Sequence, residues 1–268
     1  MDLPKLQTIE LKRHNKGILV ASFNRPKVYN ALNPQTYDDW LETLRFGIKD
    51  ETIKVLVMTG KGKFFTSGQE LALPQPSAES NESITDFIKR RIAVTKTIVD
   101  TLVTYPKILM VAVNGPALGF GVTSTALSDI VYAVEDATFK TPFMELALCV
   151  EACSSVLFPK ALGNSKAKEM LFMGRTMTAA EWHQAGLVSA VFPNDESFLT
   201  RVLEKAEQIA SYSPSAVMKS IALVRLVDKD LLLRTNALEM DLLFERMTSK
   251  DFMKAISQFM SRSKKSRL

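Results

Sequence analysis

Six apolar residues, Ile108 to Val113, follow Tyr105-Pro106 and run without a polar break into NGPALGFG. A half-exposed strand alternates polar and apolar residues, so a run without alternation suits a strand covered on both faces. TIKVLVMTG is a second short apolar strand, ending at Gly60. Each strand gives onto a glycine-containing loop, FFTSGQEL (64–71) and NGPALGFG (114–121). Either loop alone reads as a tight turn that needs small residues. Together they bring backbone N–H groups to two strand ends, and the second also opens a helix. Two such N–H groups converging on one point form an oxyanion hole, which holds developing negative charge without an ionisable side chain.

The remaining elements follow from periodicity and punctuation. QTIELKR and GILVASFN, separated by HNK, read as a hairpin. Asn33-Pro34 supplies an N-cap and a first-turn proline. Behind it Tyr37, Trp40, Leu41, Leu44 and Ile48 recur at helical spacing. A long helix is expected from Ile84 to Leu102, a small-residue helix at VTSTALSD, and short strands at IVYAV, ATFKT and LVSAVFP. Thr178 and Glu181 form a capping box. From Cys153 onward the pattern is almost wholly helical, closing with three or four amphipathic helices.

Composition narrows the chemistry. The chain is 46% hydrophobic and 24% charged, which suits a packed core and excludes disorder. No apolar run approaches the roughly 20 residues needed to cross a bilayer, and the N-terminus has no secretory h-region. The expected location is therefore intracellular, with no membrane insertion. Two cysteines, Cys149 and Cys153, and two histidines, His14 and His183, offer neither a disulfide framework nor a zinc pattern. Acid–base work in an enzyme of this composition falls to carboxylates. The net charge of +5 is concentrated in the tail, at Arg262, Lys264, Lys265 and Arg267. No basic stripe with interleaved aromatics suggests nucleic acid. Dinucleotide and phosphate-loop glycine patterns are missing.

FNRPKVYNALN, FFTSGQEL, VNGPALGFG, SDIVYAVEDATFKTPF and MTAAEWHQAGLVSAVFP resemble, in order, the signature segments of the crotonase (enoyl-CoA hydratase/isomerase) superfamily. The resemblance runs from about Ile9 to Met260. It implies an α/β fold, the crotonase (ClpP-like) spiral of ββα turns over 1–200. It also implies a C-terminal helical trimerisation region over 201–268, in a homotrimer or hexamer. The implied ligand is an acyl-coenzyme A thioester, whose oxygen is held by the backbone N–H groups of Gln69 and Phe120. Ser67, Gly68, Glu70, Leu71 and Gly119 complete the implied substrate-binding loops. No metal and no redox cofactor is implied, coenzyme A being part of the substrate.

Within this superfamily the placement of carboxylates sets the reaction. Hydratases resemble one another in two glutamates that orient a water; here those places hold Thr123 and Phe143. The Δ3,Δ2-enoyl-CoA isomerases, above all the peroxisomal ones, are similar in using one glutamate further on. TPFMELALCVEACSSVLFPK puts Glu151 at that place. Its apolar flanks favour a raised pKa and a stronger base. The implied function is isomerisation of a 3-enoyl to a 2-trans-enoyl thioester in fatty acid β-oxidation, with Glu151 as proton shuttle. Glu145 and Glu70 are nearby carboxylates, read as solvated or salt-bridged. Ala147 and Ala152 replace family glycines, and Val150 replaces a proline. These departures keep two alternatives open, a hydratase or dienoyl-CoA isomerase of a specialised pathway, and a non-catalytic acyl-CoA-binding protein.

Phe259 and Arg262 match the family pattern F-x-x-[KR], in which the last helix packs near the coenzyme A nucleotide. A plain helix end with a favourable cation would give the same residues. Ser266-Arg267-Leu268 resembles the peroxisomal Ser-Lys-Leu address, which implies recognition by the peroxisomal import receptor.

Overall fold

The computed structural model describes residues 1–71 and 82–265, the side chains of 260 and 262–265 excepted. The N-terminal hairpin is β1 (Ile9–His14) and β2 (Ile18–Phe23), followed by α1 (Pro34–Lys49), β3 (Val55–Gly60) and α2 (Ile84–Val103). Next come β4 (Ile108–Val113), β5 (Ala117–Leu118), α3 (Phe120–Thr123), β6 (Ile130–Val134) and β7 (Thr138–Lys140). The chain continues through α4 (Ser154–Leu162), α5 (Asn164–Met173), β8 (Met177–Thr178), α6 (Ala179–Gln184) and β9 (Ala190–Phe192). It ends in α7 (Phe198–Ala210), α8 (Pro214–Leu226), α9 (Lys229–Met247) and α10 (Lys250–Lys265).

Six strands form one sheet in the order β1-β2-β3-β4-β6-β9, and β5-β7-β8 form a second, smaller one. Only the β1–β2 pair of the large sheet is antiparallel. Every residue of β2 and β4 is buried, as is β3 up to Thr59. That is why these segments read as unbroken apolar runs: helices cover both faces. The edge strand β1 has one fully buried residue, Ile9, and otherwise half-buried or exposed ones.

Local signals fix the helix starts. The Asn33 side chain accepts from Thr36 N–H at 2.9 Å, and Pro34 fills the first turn. Thr178 and Glu181 make the reciprocal capping box. The segment VTSTALSD departs from expectation. α3 stops at Thr123 and a tighter turn, Ser124–Leu127, replaces the rest of the helix. The hydroxyls of Ser124 and Thr125 donate back to the carbonyls of Gly121 and Val122, three residues earlier, which suits a tight turn better than an α-helix.

The C-terminal helices bind the fold differently. α7 crosses residue 200 and buries Phe198, Val202, Ala206 and Ala210 in the core of the sheet. α9 runs along α2, where the Asn236 amide donates to Asp100 (2.7 Å) and to the Lys96 carbonyl (3.1 Å). Its inward stripe is Leu232, Asn236, Glu239, Met240, Leu243 and Met247. Two polar side chains lie on that stripe: the Asn236 amide nitrogen is satisfied while its Oδ1 has no partner among the described residues, and Glu239 accepts from Cys153 N–H.

Candidate active site

The two glycine loops meet because backbone bridges pin them side by side. Leu32 N–H donates to Gly68 O (2.8 Å) and Glu70 N–H to Leu32 O (3.0 Å), so Gln69 turns its own N–H to the opposite side. Leu118 N–H donates to Thr66 O (3.0 Å), tying the first loop to the second. A Cβ at Gly68, which has φ +78°, would lie 2.8 Å from Leu118 O. Only glycine allows that approach. On the other side Gly119 N–H donates to Lys140 O (2.9 Å), and Gly119 takes φ 54°, ψ −126° to launch α3. Phe120 is the first residue of α3, so its N–H has no acceptor within the helix. Among the described residues the N–H groups of both Gln69 and Phe120 lack a backbone acceptor.

These loops line a cavity of about 170 Å³ whose walls include Ser67, Gly68, Gln69, Leu71, Gly119, Phe120, Phe143, Glu151 and Phe259. Glu151 is 6% exposed. Burial pushes its carboxyl up to about 8; a hydrogen bond from Thr123 opposes that and the charge of Glu239 adds to it. The Thr123 hydroxyl donates to Glu151 Oε1 at 2.9 Å. The buried carboxylate therefore has one side-chain donor among the described residues. Phe143, at the other place hydratases use, is 4% exposed and apolar. Two further carboxylates are held in ion pairs, and one of them, Glu145, lines the same cavity together with its partner Lys140. Glu145 pairs with Lys140 (2.7 Å) and Glu70 with Arg25 (2.8 Å), the salt-bridged roles expected of them.

The backbone around Glu151 is strained and clamped. Ala147, Ala152 and Cys153 have φ of 53°, 55° and 60°, the left-handed region that costs an L-residue about 1–2 kcal/mol each. This explains the glycines expected at two of these places. Side chains of α9 hold the turn from both ends. Arg246 Nε donates to Ala147 O (3.1 Å), while Glu239 accepts from Cys153 N–H (2.6 Å), Ser155 N–H (3.2 Å) and Ser155 Oγ (2.5 Å). Glu239 thus caps the N-terminus of α4 from another helix, where a negative charge is favoured. Its burial raises its own pKa and these donors lower it. Cys149 and Cys153 flank Glu151, both buried, unpaired and pushed up to about 12 by burial. A second, smaller cavity of about 30 Å³ lies past Glu151, lined also by Tyr37, Arg91 and Thr95.

The structure brings Ser67, Gly68, Gln69, Leu71, Gly119, Phe120, Glu151 and Phe259 to one cleft. Glu70 points away, into its pair with Arg25. Arg262 lies on α10, its side chain outside the described residues, as are Ser266, Arg267 and Leu268. Sequence reasoning missed Thr123 as a partner, along with Glu239, Arg246, Tyr37 and Arg91. One signal was present: Glu239 falls on the buried stripe of α9, where an acidic residue demands a partner. Chemically, the cleft offers two spare N–H donors beside one buried, weakly acidic carboxyl group. Such a set can remove a proton from carbon next to a carbonyl and hold the resulting oxyanion.

Comparison with known proteins gives the family. A family model described as enoyl-CoA hydratase/isomerase matches residues 13–266. Enoyl-CoA delta isomerase 3, peroxisomal, from Mus musculus is 37% identical, over 97% of this chain and 83% of its own length. Enoyl-CoA delta isomerase 2 from Rattus norvegicus is 36% identical, over 94% of this chain and 66% of its own length. The crystal structure of an enoyl-CoA hydratase/isomerase from Pseudoalteromonas atlantica T6c superposes with a TM-score of 0.85 at 30% identity. It covers 96% of this chain and 98% of that one.

Proposed function

This chain belongs to the enoyl-CoA hydratase/isomerase family, and on that footing we propose that it is a Δ3,Δ2-enoyl-CoA isomerase. The observation that carries the reaction type is the single buried carboxyl beside the two spare N–H groups. Glu151 occupies that place, while Thr123 and Phe143 stand where a water-orienting pair would be needed.

In the proposed mechanism the thioester oxygen accepts from Gln69 N–H and Phe120 N–H. Glu151, ionised, removes a proton from C2, and the C2–H electron pair moves into the C1–C2 bond as the carbonyl becomes an enolate oxygen. Collapse of the enolate forms the C2–C3 double bond, and the C3–C4 pair takes the proton back from Glu151 at C4. The carboxylate is regenerated and nothing else is consumed, so no metal or redox cofactor enters. A base with a pKa of about 8 is ionised only about a tenth of the time at neutral pH, yet is stronger when ionised.

The wider assignments extend the same reading. Phe259 borders the cleft on α10, which suits a coenzyme A nucleotide held there with Arg262. Leu223, Val224, Val227 and Leu238, on and just after α8 and on α9, are 69%, 75%, 83% and 72% exposed, which favours a homotrimer or hexamer over a lone chain. The mouse relative is named peroxisomal, and with Ser266-Arg267-Leu268 this supports import into peroxisomes and a place in fatty acid β-oxidation.

Purified protein assayed with 3-enoyl, 2-enoyl and dienoyl thioesters tests the reaction. Turnover of the 3-enoyl ester alone is expected, with Glu151→Gln abolishing it and still binding acyl-CoA. Hydration of the 2-enoyl ester, or binding with no turnover, would replace this assignment with a hydratase or a silent acyl-CoA-binding protein.

A further inference from the structure

Past the main cleft lies a small pocket of mixed lining, where Ile92 and Met247 stand beside polar side chains. The cavity past Glu151 shares Gln69, Glu151 and Leu243 with the main one and closes on Tyr37 from α1 and on Arg91 and Thr95 from α2. Tyr37 is 4% exposed, and its hydroxyl meets no hydrogen-bond partner among the described residues. Arg91 is 8% exposed. One guanidinium nitrogen donates to Pro34 O (3.1 Å) and forms a longer ion pair with exposed Asp38 (3.7 Å), while the Tyr37 ring centroid lies 4.7 Å from Cζ. That is a single hydrogen bond, among the described residues, for a group with five N–H donors. The Thr95 hydroxyl donates to Arg91 O (3.1 Å) and so offers the cavity only an acceptor.

A methyl end pressed into this cavity would displace water from a phenol and a guanidinium and give neither an acceptor, which is unfavourable. At about 30 Å³ the space admits a group of one or a few heavy atoms and no length of alkyl chain. We propose that Tyr37 and Arg91 form a subsite for an acceptor oxygen carried at the far end of a short acyl chain. The substrate class is then an acyl-CoA thioester with a terminal hydroxyl or carboxylate, in place of a plain fatty acyl chain. The reaction that supplies it must leave oxygen at the distal carbon. This inference rests on the cleft being an acyl-thioester site. Glu151 also lines the cavity, so a carboxylate gains from Arg91 and loses to Glu151, whereas a hydroxyl meets both without a net charge.

Calorimetric binding of hexanoyl-CoA, 6-hydroxyhexanoyl-CoA and adipoyl-CoA to the full-length protein tests the subsite. The expected result is at least one oxygenated ligand binding roughly tenfold tighter than hexanoyl-CoA, the scale of one hydrogen bond to a charged donor. Tighter adipoyl-CoA identifies a carboxylate, and tighter 6-hydroxyhexanoyl-CoA a hydroxyl. Arg91→Leu and the conservative Tyr37→Phe should each bring the ratio of dissociation constants towards one. Equal binding of all three ligands, or a preference that survives both substitutions, overturns the proposal and leaves the cavity to water. The ligands are saturated and cannot isomerise. A preference therefore stands even if no 3-enoyl ester is turned over, and its loss leaves the isomerase assignment untouched.

Discussion

Thr123 and Glu151, 28 residues apart in the chain, meet through a 2.9 Å hydrogen bond from hydroxyl to carboxylate. The residue that replaces one carboxylate of a water-orienting pair thus steadies the carboxylate that remains.

That hydroxyl stabilises the charged form of Glu151 and lowers a pKa that burial raises. Thr123→Val keeps the shape and removes the donor, so the pKa should climb by roughly one unit. The base acts ionised, so activity falls as pH drops through this pKa. The acidic limb of kcat/KM should move to higher pH, with a roughly tenfold loss at neutral pH. A pH–rate profile with an unmoved limb would rule this out.

Glu239→Gln should move the same limb the other way. Its negative charge raises the Glu151 pKa, and its oxygens hold Cys153 and Ser155. The other groups facing Glu151 are Thr123, Tyr37, Arg91 and the thiols of Cys149 and Cys153, all unchanged. The limb should shift to lower pH while kcat drops about tenfold, the scale of a small misplacement of the base. KM should change little. A loss of folded protein with a normal profile in the remainder would mean that Glu239 only stabilises.

Burying Glu151 has a sign in stability as well. Its pKa is about 8 folded against 4.5 unfolded, so the folded state keeps a proton that the unfolded chain releases between those values. Stability from this group is full below about pH 4.5 and declines by roughly 1.4 kcal/mol per pH unit until about pH 8. Glu151→Gln should match the parent near pH 4.5 and exceed it increasingly up to pH 8 in urea denaturation. A constant difference across that range would contradict the raised pKa.

Ala147 sits at φ 53°, half-buried, with its carbonyl held by Arg246. Ala147→Gly should therefore stabilise the protein by about 1 kcal/mol, raising Tm by a few degrees. Thermal unfolding with no gain would show that this turn carries no strain.

How far the chain could be read depends on where its partners lie. The runs at β3 and β4, the cap at Asn33 and the box at Thr178 are local, so neighbouring residues alone were enough to place them. The loops carrying Gln69 and Phe120 were legible because glycine marks a backbone need. Glu151 was singled out by the family resemblance, with its apolar flanks as the lesser signal. Its surroundings were not legible. Glu239 lies 86 residues from Cys153, and Tyr37 and Arg91 come from different helices. Periodicity shows that such residues face inward and says nothing of what they face. VTSTALSD was misjudged for a smaller reason: composition allows a helix, and side-chain hydroxyls decide for a tighter turn.

The two thiols on either side of Glu151 make the turn its own clock. Cys149 and Cys153 are 8% and 0% exposed and stay protonated at ordinary pH. A thiol-reactive dye can therefore label them only when the turn opens. The labelling rate counts how often the catalytic segment leaves its clamp, and a tightly bound thioester should slow the count without any chemistry taking place.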